Sequence, residues 1–151
     1  MKRQEKYPDT STFHYYNANP KNKFTGDCVI RALCTAMKKP YEQILKELCE
    51  YSLKTGYSIS STENYDKYLK ENGWIKQKQP RKVNNTKYTG EEFCYELQEG
   101  TTFICNENEC DFTNDIIAHI GSHHIVAIIN GKVWDSWDST DGCIGNYWIK
   151  E

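Results

Sequence analysis

Apolar residues follow two rhythms along this chain, a helical one in its first half and a strand-like one in its second. From Asp27 onward they occupy Val29, Ala32, Leu33, Ala36 and Met37, the stripe of a half-buried helix. Asp27 suits the N-cap, and Pro40 ends that helix while suiting the first turn of the next. Tyr41, Ile44, Leu45, Leu48 and Cys49 repeat the stripe and predict a helix over Tyr41–Leu53. A third helix is predicted from Thr62 to Asn72, capped by Ser61 and stopped by Gly73. Thr89 and Glu92 fit a capping box opening a short helix whose Phe93, Cys94 and Leu97 face inward until Gly100.

Beyond Gly100 the period changes. Thr101–Cys105 reads as a strand and His123–Ile129 as a strong one. Asn130-Gly131 is a tight-hairpin dipeptide, so Lys132–Trp137 is the returning strand. Trp74–Gln77 and Asn146–Ile149 are shorter strand segments, and Phe13–Tyr16 is either a short strand or a packed anchor. Asn17–Gly26 is dense in turn formers and delivers the chain to the first long helix. Helices first and a mainly antiparallel sheet afterwards predict an α+β fold. The whole of residues 1–151 reads as a single domain, with 1–12 a flexible arm.

At 151 residues the chain buries roughly two-thirds of its unfolded surface, so it needs no metal or disulfide staple. Only 38% of residues are apolar, but 5 Phe, 11 Tyr and 4 Trp supply large buried areas, predicting a core rich in rings. The net charge of −2 gives no footprint for nucleic acid or an anionic membrane. Lys76–Lys87 is locally basic, but Pro80 and two asparagines make it a solvated loop. The polar start of the chain, the lack of a membrane-length apolar run and seven cysteines without repeating spacing predict a cytoplasmic protein with reduced thiols.

One of those cysteines stands apart. With Asp27 as cap, Cys28 sits in the first helical turn, where unpaired backbone N–H groups and the helix dipole favour a thiolate. Cys34 and Cys49 fall within helices, and Cys94 lies on an inward face. A nucleophilic thiolate needs a base. With Asn130-Gly131 as the turn, Val126 faces Asp135, and His124 falls opposite Trp137. Asp135 is then diagonal to His124 on the same face, placed to hold one ring nitrogen while the other faces sulfur.

These residues also carry a family resemblance. Asn22-Lys-Phe-Thr-Gly-Asp27-Cys28, opening a helix, resembles the Gln-x4-Asp-Cys pattern of bacteriocin-processing peptidases in the papain-like superfamily. The His124-Ile-Val-Ala strand followed by Val-Trp-Asp135 resembles that superfamily's histidine and acid segments. The resemblance spans roughly Asn22 to Asp138 and implies a papain-like fold, its N-terminal helices packed on a C-terminal sheet. It implies a peptidase-like hydrolase with Cys28 as nucleophile, His124 as base and Asp135 as orienting acid. It also implies an oxyanion-hole side chain at Asn22, where the family carries Gln and Asn is one methylene shorter. The expected substrate is a peptide or protein, cut at a peptide, isopeptide or amide bond without a cofactor. Among the histidines it favours His124 over His123, because the apolar run follows it directly. Face alternation separates Asp138 from Asp135.

Other functions draw on the same residues. Cys105, Cys110, His119 and either His123 or His124 have the ligand types of a zinc site, although eight residues between the second Cys and first His is short for a finger. A catalytically silent binding protein would keep the fold, and an acyltransferase would use the same triad to acylate an amine.

Overall fold

The stripe after Asp27 becomes α2, Cys28–Met37, in a computed structural model that describes residues 1–151. Its Val29, Ile30, Leu33 and Ala36 are buried, and Lys38 ends it in a left-handed conformation. Pro40 then opens α3, Tyr41–Thr55, which buries Ile44 and Leu48. Ser61 precedes α4, Thr62–Glu71. Asp27 and Ser61 stand at the N-cap positions expected of them, yet neither side chain caps its helix. Thr89 and Glu92 do form the reciprocal capping box of α5, Gly90–Gln98.

The strands are β1 (Phe13–Tyr15), β2 (Trp74–Gln77), β3 (Phe103–Cys105), β4 (Asn108–Cys110), β5 (Ile116–Ile120), β6 (His124–Ile129), β7 (Lys132–Asp135) and β8 (Ile144–Lys150). Six of them form one sheet in the order β1-β7-β6-β5-β8-β2, antiparallel except for the parallel pairing of β1 with β7. The fold is therefore mixed α+β, with a mainly antiparallel sheet. No helix is long and apolar enough to cross a membrane.

Each face of the sheet has its own core. Ile117, Ile125, Ala127 and Trp148 point toward α2, α3 and α4. Their neighbours Ile116, Ala118, Val126, Ile128 and Tyr147 point the other way, toward Phe93, Cys94 and Leu97 of α5. Alternation along each strand divides the residues in this way. Trp148, Tyr68, Tyr147, Phe13 and Phe93 are among the largest fully buried side chains, so the core is built on rings.

Three expectations change. β5, in the interior of the sheet, was not anticipated. Both its faces are covered, so Ile116-Ile117-Ala118 shows no polar alternation to mark a strand. β3 is shorter than the expected Thr101–Cys105 and pairs only with β4, in a two-stranded hairpin apart from the main sheet. The arm at 1–12 is fastened: α1, Arg3–Lys6, sets the Arg3 Nε 2.6 Å from the Ser136 carbonyl, and Thr12 is buried.

Candidate active site

The β6–β7 hairpin fixes half of the site by local chemistry. Asn130 and Gly131 both have positive φ, 52° and 67°, as a tight hairpin between twisted strands requires. Ile129 pairs with Lys132, Ile128 with Val133 and Ala127 with Trp134, the register expected from the turn. Beyond that last pair, His124 and Asp135 meet through side chains, with Nε2 of His124 2.5 Å from Oδ2 of Asp135. Nδ1 of the same ring is left for sulfur.

Packing of α2 on the sheet supplies the other half. It brings Cys28 into the same cleft as His124, close enough for the thiol and the imidazole to shift each other's charge. Burial works to raise the Cys28 thiol, but the bond and charge of His124, the Ile125 N–H and the charge of Arg31 hold it below its ordinary value. Burial works against the charged His124 ring as well, yet Asp135 and Cys28 raise it to about 9. Cys34, Cys94 and Cys110 shift the other way, chiefly through burial. The geometry at Cys28 and His124 therefore favours a thiolate–imidazolium pair.

Sequence reasoning missed Arg31. One turn beyond Asp27 on α2, its Nε donates to Asp27 Oδ1 at 2.8 Å and its Nη1 to Asp135 Oδ1 at 2.8 Å. Asp27 is buried and also accepts bonds from Asn19 Nδ2 at 3.0 Å and the Tyr41 hydroxyl at 2.8 Å. Asp135, 1% exposed, takes further bonds from the Ser136 N–H at 2.7 Å and the Ser139 hydroxyl at 3.2 Å. Burial favours its neutral form, but His124 and Arg31 keep it ionised. The result is a line of alternating charge running Asp27, Arg31, Asp135, His124, Cys28. The i, i+4 spacing of Asp27 and Arg31 was visible in the sequence. The bond from Arg31 to Asp135 was not.

Because Asp27 is committed to Arg31, Asn19 and Tyr41, it leaves the start of α2 uncapped. The Cys28 and Val29 N–H groups have no protein acceptor. They remain open to an anion, which is the helix-start effect expected for Cys28.

Asn22 does not serve as expected. It is exposed in a left-handed conformation, its Oδ1 accepts from Asn17 Nδ2 at 3.2 Å, and it does not line the cleft at Cys28. The loop turns on its own asparagine bonds, and these direct Asn22 outward. His123 is exposed at that cleft, while Asp138 is taken up by the Thr140 N–H and hydroxyl. Trp137 packs against the His124 ring at 5.0 Å between centroids, and Trp134 packs with His14 and Tyr16.

Cys28 and His124 open into a cleft of about 430 Å³. Its lining includes Ser60, Thr62, Tyr65, His119 and Asn146 but no Asp, Glu, Lys or Arg. A larger hollow of about 730 Å³ lies between α5 and the Lys82–Asn84 loop, and no Cys or His lines it. The residues of the rival zinc reading are dispersed: His119 bonds Tyr65, the Cys105 sulfur accepts from the Lys78 N–H, and Cys110 is buried in the core. No group of three or more His, Cys, Asp or Glu side chains is placed to hold a metal ion.

Comparison of the chain with protein-family models, curated proteins and solved structures gives no match. The site is therefore interpreted from its own geometry.

Proposed function

We propose that this protein is a cysteine hydrolase of the papain-like kind, cleaving a peptide, isopeptide or amide bond through Cys28, His124 and Asp135. The observation that carries the reading is the placement of His124, with Nε2 2.5 Å from the Asp135 carboxylate and the ring sharing one cleft with the Cys28 thiol. A histidine held in this way can take a proton from sulfur and return it to a leaving group. The seven unpaired cysteines accord with a reducing, cytoplasmic setting.

In the reaction, the Cys28 thiolate attacks the carbonyl carbon, and the open N–H groups at the start of α2 stabilise the oxygen that becomes negative. His124 gives its Nδ1 proton to the departing amine as the carbon–nitrogen bond breaks. A thioester on Cys28 remains. Water then attacks the thioester, His124 takes the water proton, and the carbon–sulfur bond breaks to release the acid. Apart from the Cys28–His124 pair, the cleft lining carries no Asp, Glu, Lys or Arg, which suits a substrate whose groups beside the scissile carbonyl are themselves neutral.

Two measurements test the reading. Iodoacetamide at a pH of about 6 should alkylate Cys28 far faster than the other cysteines, because an ordinary thiol is then protonated. An activated ester such as p-nitrophenyl acetate should acylate Cys28, and the acyl group should then be lost to water. Equal alkylation of all the cysteines overturns the nucleophile assignment. Fast alkylation without acylation indicates a binding protein, and a stable acyl group that only an added amine removes indicates an acyltransferase.

A further inference from the structure

The cleft contains a second hydrogen-bonded pair that the triad does not use. His119 on β5 bonds through Nε2 to the hydroxyl of Tyr65 on α4, and Thr62 Oγ1 lies 3.1 Å from the same hydroxyl. All three residues line the cleft with Cys28 and His124. Trp148 fixes the pair from beside it, its ring 5.0 Å from His119 and 5.9 Å from Tyr65 between centroids.

One arrangement of these bonds, set by the His119 tautomer, leaves the Tyr65 proton free. His119 is pushed toward its neutral form, chiefly by burial and then by the charge of Lys76. Its Nδ1 has no protein partner, and in the tautomer that carries its proton on Nε2 the ring donates to the Tyr65 oxygen. Thr62 has no other hydroxyl acceptor and can donate to the same oxygen. A phenol oxygen has two acceptor positions and one proton. In that arrangement both acceptor positions are filled and the Tyr65 proton is left to donate. Burial, and next the negative charge of Cys28, raise the phenol and keep that proton on.

We propose that the Tyr65 hydroxyl donates to the oxyanion formed when Cys28 attacks a carbonyl, in the role the sequence pattern gave to Asn22, and that His119 is its positioning residue. This rests on Cys28 being the nucleophile of the proposed hydrolase. Tyr65 then works with the open N–H groups at the start of α2, so the negative oxygen receives both side-chain and backbone donors.

Two electrophiles separate this role from the nucleophile's own chemistry. With iodoacetamide the thiolate forms a carbon–sulfur bond as iodide leaves, and no oxyanion appears. With p-nitrophenyl acetate the thiolate attacks a carbonyl, an oxyanion forms, and p-nitrophenolate leaves as the thioester is made. Tyr65→Phe should leave Cys28 alkylation unchanged, which also shows that the site has folded. It should slow Cys28-dependent p-nitrophenolate release on the order of 10²-fold, with Cys28→Ala setting the background. His119→Gln keeps an N–H donor and should retain most of the ester rate, whereas His119→Leu should lose it with alkylation intact. Unchanged ester rates in Tyr65→Phe overturn the proposal. Equal slowing of both reactions also overturns it, since Tyr65 would then act on the thiolate. If wild-type Cys28 is alkylated no faster than the other cysteines, the nucleophile reading itself has failed, and the proposal falls with it.

Discussion

Arg31 and His124 share one carboxylate: Arg31 Nη1 is 2.8 Å from Oδ1 of Asp135, and His124 Nε2 is 2.5 Å from its Oδ2. Asp135 is thus held from the side away from the histidine, and the orientation of the imidazole depends on a guanidinium that never touches it.

Removing that guanidinium should be expensive. Arg31→Met leaves the buried Asp27 and Asp135 without their shared cation, and the expected loss is about 3–5 kcal/mol in urea unfolding. Arg31→Lys keeps the charge but not the fork of donors, so it should fall between wild type and Arg31→Met. A loss below about 1 kcal/mol in Arg31→Met would mean that solvent reaches the pair and screens it.

Asp135→Asn tests the acid directly. Without its charge, His124 should drop from about 9 toward its ordinary value, and the Cys28 thiol should rise. Alkylation near pH 6 should slow, and the pH at which Cys28 becomes reactive should move upward. Ester cleavage should fall by on the order of 10²-fold or more, as expected when general acid–base work is impaired. An unchanged pH profile for alkylation would remove Asp135 from the proposed triad.

The ion pair makes an unusual prediction for stability against pH. His124 is raised from its ordinary 6.5 to about 9, so its own contribution is full below 6.5 and is lost as pH rises through about 9. Cys28 is lowered from its ordinary 9.0, so its contribution is full above 9.0 and is lost as pH falls through its depressed value. Below 9.0, and above both 6.5 and the depressed Cys28 value, the folded pair holds one proton on nitrogen and the unfolded pair holds one on sulfur. The proton counts match, so the pair should give stability no slope in this window. In Cys28→Ala only the histidine remains, and stability should decline as pH rises above 6.5. Denaturant titrations of both proteins across the window check this, and parallel curves would contradict the pairing.

The turn carries the register that joins His124 to Asp135. Gly131→Ala forces a side chain onto a backbone with φ 67° and places its Cβ 2.7 Å from Gln98 Cγ. The expected cost is about 1–2 kcal/mol from the left-handed backbone alone, read as a lower unfolding midpoint. Ester cleavage should fall only as far as the hairpin loosens. A variant as stable as wild type would show that the turn has another conformation open to it.

Much of the site was legible because its parts are local. A cysteine after Asp27 at the start of an apolar stripe implies a helix-start thiol, and Asn130-Gly131 sets His124 diagonal to Asp135 by turn geometry alone. Local signals were weaker elsewhere. β5 lacks alternation because both its faces are buried, and the side chain of Asp27 left its cap for Arg31. Asn22 was placed by analogy of spacing, but spacing does not set the direction in which a loop turns.

The sequence by itself therefore determined the two halves of the candidate site, since periodicity, helix ends and hairpin turns depend on near neighbours in the chain. Only the tertiary structure decided that the halves meet, because packing α2 on the sheet joins Cys28 to His124 across most of the chain's length. It also decided what supports them, with Arg31 behind Asp135 and the Tyr65–His119 pair in the cleft. Those contacts join residues far apart in sequence, and their partners are selected by shape and charge complementarity in the folded core, which no local pattern records.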